Sequence, residues 1–338
     1  MCLSPGGRGS PSRPRFVRSC TQRPHPTTLC DKLPRLCQED HCCAVKLSQK
    51  FWKRLSDLYD STLCQPKEVA KQGHAPVKPF DGKKITVGIP HYNRGSRIHR
   101  PLRNLLNDPR VGEVVICDDA SSAEEFSALQ RNVRSLDPQG KVRIVRHEKN
   151  LGAMANKLSC VENASSEWLI ILDSDNTIFR NYLDAVYALP EWDPQVIYSP
   201  SWAFPYFPFK RLIGERLDFD RVVELCQDST LKRVYYLNDG NYFVNRKAYL
   251  EAIGCLAELK HDVADVMVAN YLWLSLGNRL QVLPKAHYFH RIDASSFWVR
   301  TQEESRRRVF ELFDLLESNT RWTPDLLERF RQSASQEK

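Results

Sequence analysis

No stretch of this chain approaches the roughly 18 consecutive apolar residues that a membrane-spanning helix needs, so no transmembrane anchor is expected. The first thirty residues also lack the unbroken apolar core of a secretory signal, and no acidic residue precedes Asp31. Arg8, Arg13, Arg15, Arg18 and Arg23 are interspersed there with Ser, Thr and Pro. That composition suits an organelle transit peptide and equally a disordered basic arm, so the expected location is cytoplasmic with an organelle as the alternative. Paired Cys-x-x-Cys knuckles are missing too: Cys30, Cys37, His41, Cys42 and Cys43 do not have the spacing of a zinc site. Seven of the eleven cysteines precede residue 65, and Cys117, Cys160, Cys226 and Cys255 sit among apolar neighbours like small core residues, so nothing demands an oxidising compartment. There is no internal repeat. No Gly-x-Gly-x-x-Gly follows the first strand, which disfavours a dinucleotide-binding fold.

What is present is unevenly distributed. Of 49 Lys+Arg and 41 Asp+Glu, residues 1–80 hold 14 and 6, which leaves 35 of each in the remainder. The net +8 therefore belongs to the N-terminal part and the main body is neutral, a balance that disfavours nucleic acid as substrate. At 338 residues and 42% hydrophobic content there is ample material for a packed core. The composition divides the chain into a disordered basic arm over 1–45, a helix and proline-bearing linker over 46–82, a main domain over 83–300, and a C-terminal helix and tail over 301–338.

From Lys83 the pattern becomes regular. Ile85–Ile89, Val114–Cys117, Val142–Val145 and Trp168–Leu172 read as strands, separated by helical segments around 98–106, 123–136 and 153–163. Such alternation predicts an α/β, Rossmann-like, mostly parallel sheet flanked by helices. Further on, Asn176 is placed to cap a helix through Leu189, and Val196–Tyr198 is a strand. The run 202–209 is too proline-broken for a regular element, and its aromatics suit either an acceptor pocket or a local hydrophobic cluster. Residues 234–237 and 242–244 alternate like strands, Asp265 opens an amphipathic helix ending at Gly277, Leu280–Leu283 is a short strand, and a last helix spans about 302–318.

The fourth strand ends in Asp173-Ser174-Asp175. Ligands bind open parallel sheets at the carboxyl ends of the strands. Residues i and i+2 of an extended chain point to one side, so two carboxylates there favour an intervening cation, and oxygen-only ligands suit Mg²⁺ or Mn²⁺. By itself the tripeptide also fits a solvated acidic turn.

Four patches occur in order: Ile89-Pro90-His91-Tyr92-Asn93-Arg94, Cys117-Asp118-Asp119-Ala120-Ser121, Asn150-Leu151-Gly152 and Leu172-Asp173-Ser174-Asp175. Together they resemble the family 2 glycosyltransferases, closely over about 83–180 and more loosely over 235–290. The resemblance implies the GT-A fold, with a mixed acceptor-side half of the sheet. It implies that Pro90, Tyr92 and Asn93 wall the nucleotide base, that Asp118, with Asp119 as substitute, hydrogen-bonds the base or ribose, and that Lys157 faces the nucleotide where the family usually has Arg. Asp173 would lie near the ribose or sugar and Asp175 on the metal, Mn²⁺ or Mg²⁺. His290, or less well His287, would complete that metal site. Asp265 resembles the general base, with Asp262 or Asp239 able to take its place, although an Asp there is also an ordinary helix cap. Leu158, Cys160 and Asn176 depart from the family pattern.

The expected function is a metal-dependent, inverting transfer of sugar from a nucleotide-sugar donor to an unidentified glycosyl acceptor's hydroxyl. The alternatives are a catalytically silent GT-A protein that binds a sugar or a partner, and a nucleotidyltransferase. The latter would need a Gly-rich basic loop after the first strand, which Pro90–Ser96 does not supply.

Overall fold

The computed structural model describes residues 82–205, 207–227, 235–259, 265–291 and 302–335. The expected arm over 1–45, the helix and linker over 46–82 apart from Gly82, the Cys/His cluster and Asp262 all lie outside them. Within the described residues no helix is long and apolar enough to cross a membrane.

Strand and helix alternate as the apolar pattern predicts. β1 (Ile85–His91) leads through a 3₁₀ turn at Gly95–Arg97 into α1 (His99–Leu106), β2 (Val111–Asp118) into α2 (Ala123–Leu136), and β3 (Val142–Arg146) into α3 (Ala153–Asn163). β4 (Trp168–Ile171) and the two-residue β5 (Thr177–Ile178) precede α4 (Arg180–Tyr187). The second half contains β6 (Val196–Ser199), β7 (Trp202–Phe204), β8 (Phe207–Pro208), β9 (Arg216–Leu217), α5 (Phe219–Gln227), β10 (Phe243–Asn245), α6 (Arg246–Ile253), α7 (Asp265–Ser275), β11 (Arg279–Val282) and β12 (His287–Phe289). α8 (Gln302–Glu317) and α9 (Pro324–Ser335) close the chain.

The main sheet runs β3-β2-β1-β4-β10-β6-β11-β9. Its first four strands are parallel, while β10 lies antiparallel between β4 and β6 and β9 antiparallel on β11. The mixed character therefore begins beyond β4, in the half of the sheet built from the second part of the chain. A second sheet, β5-β12-β7-β8, stands beside it.

Burial explains why β4 has no polar face. Trp168, Ile170 and Leu172 enter the hydrophobic cluster shared with Ile85, Val87 and Ile89, while Leu169 and Ile171 enter the opposite cluster with Met154, Leu158 and Trp273. A strand covered on both faces by helices has no position for a polar side chain until it leaves the sheet. For β4 that point is Asp173.

Several expectations about secondary structure need correction. α7 is buried on every side from Val266 to Leu274 and is not amphipathic, because it runs between the sheet and the C-terminal helices. Asn176 caps no helix: α4 starts after Phe179, which makes no side-chain cap bond. Asn176 instead accepts from Arg291 N at 3.0 Å and donates to Asn241 Oδ1 at 3.1 Å. Residues 235–238 form a 3₁₀ turn and not a strand, held by Asn270 Nδ2 donating to the Leu237 carbonyl at 2.7 Å. The 202–209 run does form regular structure, β7 and β8, on either side of a cis Phe204–Pro205 bond. Cys117 and Cys160 are buried, as expected, but Cys226 is only half-buried and Cys255 is exposed. α5, α6 and α9 were not anticipated. α6 carries a readable signal, since Asn245 accepts from Ala248 N as an N-cap.

One glycine fixes the loop that follows β1. A Cβ at Gly95 would lie 1.9 Å from the Glu125 carbonyl oxygen and 2.6 Å from Leu129 N, both backbone atoms of α2 that cannot yield. The Gly95 carbonyl also accepts from Asn132 Nδ2 at 2.8 Å. Gly95→Ala is expected to cost about 3 kcal/mol or more, read as a lower urea midpoint at unchanged slope. An unchanged midpoint would mean the loop is not held against α2.

Candidate active site

The carboxyl ends of β1, β2 and β4 and the start of α7 converge, and each strand-end patch has a distinct task. At β1, Asn93 adopts φ 51°, a conformation Asn tolerates, and is locked on both sides: its N–H donates to Ser121 Oγ and its Oδ1 accepts from Ser122 N, each at 2.8 Å. Tyr92 stands beside it, 43% exposed. This loop is the most open surface among the predicted nucleotide-binding residues.

Behind it the two acids of β2 are withdrawn from solvent. Asp118 is fully buried; its Oδ1 lies 2.8 Å from His91 Nδ1 and its Oδ2 takes Ser121 N, with Arg146 Nε at 3.6 Å. Burial alone would raise its carboxyl, but the bonds to His91 and Ser121 prevail and hold it below the usual range. Asp119 receives Leu151 N at 2.7 Å and Gly152 N at 3.1 Å, so it ties down the Asn150-Leu151-Gly152 turn that starts α3. Gly152 takes φ 94° there. The expected base or ribose contact of Asp118 and Asp119 finds both carboxylates engaged inside the protein, one bracing β1 and the other holding the turn that precedes α3.

The Asp173-Ser174-Asp175 turn is organised by Asn241. Asn241 accepts from Asp173 N at 2.9 Å and donates to Asp173 Oδ2 at 3.2 Å, and its own carbonyl accepts from the buried Tyr182 hydroxyl at 2.9 Å. Asp175 points elsewhere: its Oδ2 lies 2.7 Å from Arg94 Nη1. The two acids of the motif thus have different partners.

Lys157 links this end of the site to the other half. Its Nζ lies 2.6 Å from Asp265 Oδ2 and 3.8 Å from Asp173 Oδ1, at side-chain exposures of 11%, 14% and 31%. Burial by itself would lower the ammonium's pKa; the charges of Asp265 and Asp173 override it and raise it, so Lys157 is cationic at neutral pH. The residue expected to face the nucleotide is held between two acids. Asp265 begins α7, where the helix dipole favours a carboxylate.

His290 packs edge-on against Tyr288. Its Nδ1 lies 3.3 Å from the Tyr288 hydroxyl, and burial pulls its pKa down to about 4, which leaves the ring neutral at pH 7. His287 is occupied by Asn181 Nδ2 at 3.0 Å. Among the described residues no three His, Cys, Asp or Glu side chains gather into a metal-holding group, so Asp173, Asp175 and His290 are not brought together as the expected trio. Locally, Arg94 holds the buried Asp175, while Asn241 and Asn176 hold Asp173.

Asp239, the substitute base, is 4% exposed and lies in the interior, with its Oδ1 accepting from Asn241 N at 2.9 Å. Burial pushes its pKa up to about 7, with the charge of Asp173 adding to the rise. A carboxyl raised on folding contributes stability below its unfolded pKa, near 4, that is lost as the pH rises through about 7. Asp239→Asn removes the titrating group, so its stability relative to wild type is expected to grow between pH 5 and pH 8 in urea unfolding. A constant difference across that range would place the charge of Asp239 elsewhere.

Reasoning from the sequence missed Arg94, Asn241 and His91 as organising residues. Arg94 was legible as a cation on a strand-end loop. Asn241 was not, because its partner Asp173 is 68 residues away.

Residues 86–251 match the family described as Glycosyl transferase family 2. The succinoglycan biosynthesis protein ExoU of Rhizobium meliloti is 28% identical over 109 residues, which cover 32% of this chain and 31% of that protein. The chain thus spans about a third of the length of such curated relatives. Among solved structures, the mannosyltransferase PcManGT of Pyrobaculum calidifontis, in complex with GDP-Man and Mn²⁺, superposes with a TM-score of 0.50 at 18% identity, covering 78% of this chain and 73% of that one. S. aureus TarS 1-349 in complex with UDP-GlcNAc gives 0.51 at 16% identity, covering 74% and 71%. At these identities the two structures show the shared fold.

Proposed function

Residues 86–251 make this chain a member of glycosyl transferase family 2, and from that premise we propose that it transfers a sugar from a nucleoside-diphosphate donor to an acceptor hydroxyl, with inversion at the anomeric carbon. The observation that carries this reading is the position of Lys157, 2.6 Å from Asp265 and 3.8 Å from Asp173. The acid at the end of β4 and the acid at the start of α7 are drawn to one point, as a donor end and an acceptor end of one reaction require. The UDP-GlcNAc and GDP-mannose complexes of the structural neighbours make nucleoside-diphosphate sugars the donor class to test.

In this reading Tyr92 and Asn93, with Pro90 behind them, meet the nucleotide, and Asp118 and Asp119 keep that wall in shape. Asp173 lies toward the ribose and sugar and Lys157 toward the diphosphate. Asp175 fits a hard divalent cation, Mn²⁺ or Mg²⁺, as a single carboxylate ligand, because such ions fill most of their shell with water and phosphate oxygens. When bound, the ion supplies neutralisation of the charge that builds on the departing diphosphate. Asp265 takes the proton of the acceptor hydroxyl as its oxygen bonds to the anomeric carbon, on the side opposite the breaking bond to the diphosphate.

A thermal-shift screen of nucleotide sugars with and without Mn²⁺ tests donor and metal together. One donor is expected to raise the midpoint, and to raise it further with Mn²⁺. No shift for any donor in either condition would overturn the reading.

A further inference from the structure

One cation in this site is given no task by the mechanism above. Arg94 leaves the end of β1 and puts Nη1 2.7 Å from Asp175 Oδ2, the two side chains being 19% and 9% exposed. Its stem is held on both sides. Asn93 is bonded to Ser121 and Ser122, and Gly95 is pressed against the backbone of α2. Lys157 cannot take over its role on Asp175, because the ammonium is spent on Asp265 and Asp173.

The acid that Arg94 holds is the one proposed to carry the divalent ion. A guanidinium and a divalent ion compete for the same carboxylate, and arginine cannot step aside by losing a proton. An ion approaching Asp175 without a donor therefore meets a fixed positive charge. A diphosphate changes the balance, since its oxygens match the guanidinium fork bidentately and bring more negative charge than one carboxylate.

Resting on the assignment of Asp175 above, we propose that Arg94 is a diphosphate-binding residue that, without donor, occupies the cation's place on Asp175. Ion and donor consequently enter together, and Mn²⁺ alone is held weakly. Departure of the nucleoside diphosphate returns Arg94 to Asp175 and displaces the ion.

The test uses the full chain, Mn²⁺ alone followed by the paramagnetic resonance of the free ion, and UDP and GDP by calorimetry in metal-free buffer and in Mn²⁺. Arg94→Met is expected to bind Mn²⁺ alone about 10- to 100-fold more tightly than wild type, the equivalent of one charge-assisted hydrogen bond. Its affinity for the nucleoside diphosphate in metal-free buffer is expected to fall roughly tenfold. If Arg94→Met has a lowered thermal midpoint, Arg94→Lys serves instead, with several-fold weaker diphosphate binding expected from loss of the bidentate geometry. Unchanged affinities in the variant, with wild type binding UDP or GDP in Mn²⁺, would overturn the role of Arg94 and leave the transferase reading standing. Wild type binding neither nucleotide in either buffer would overturn both.

Discussion

With Asp265 replaced by Asn, sugar transfer is expected to fall by roughly 10²- to 10⁴-fold, the usual contribution of a general base, while Mn²⁺-dependent binding of the nucleoside diphosphate changes by less than about twofold. The substitution keeps the size of the side chain, and an amide oxygen can still accept from Lys157, whose Nζ now lies 2.6 Å from the carboxylate. What disappears is the capacity to take a proton. Asp239 does not offer a substitute at its present position, because it is 4% exposed and bonded to Asn241 N. Turnover retained in Asp265→Asn would therefore move the base to Asp262 or require Asp239 to become accessible.

Asp175→Asn is expected to act at the opposite end of the site. It should lower the Mn²⁺-dependent part of nucleoside-diphosphate affinity by roughly 100-fold or more in calorimetry, since it removes the protein's carboxylate from the ion. Affinity measured without metal is expected to rise, because the Asp175 carboxylate no longer competes with the phosphates for Arg94. Mn²⁺-dependent binding left intact would transfer the ion to Asp173, whose Oδ2 is currently held by Asn241 and Asn176. The two variants are expected to differ in kind: one should lose transfer and keep donor binding, the other should lose the Mn²⁺-dependent part of donor binding.

Much of this arrangement could be read along the chain because the first half is built from local units. Each strand of the parallel part is a short apolar run, each helix follows within a few residues, and the polar residues that end a strand fall at the sheet's carboxyl edge for the same reason at β1, β2 and β4. That logic gave the positions of Tyr92, Asn93, Asp118, Asp119, Asp173 and Asp175. It weakened after residue 200, where β7 and β8 are three and two residues long and take their shape from pairing with β12 and each other. α7 looked one-sided in sequence and is buried all round, because its outer face is covered by C-terminal helices far along the chain.

The sequence by itself determined the fold class, the order of the strand-end patches and the kinds of group each would present, since apolar period and residue chemistry are local properties. Only the tertiary structure decided which acid meets which cation. Arg94 falls to Asp175 and Lys157 to Asp265, pairings across 81 and 108 residues that follow from the parallel crossovers and the insertion of β10 beside β4. Spacing along a chain does not encode such distances: two carboxylates one residue apart are turned to different partners by side chains contributed from elsewhere in the fold.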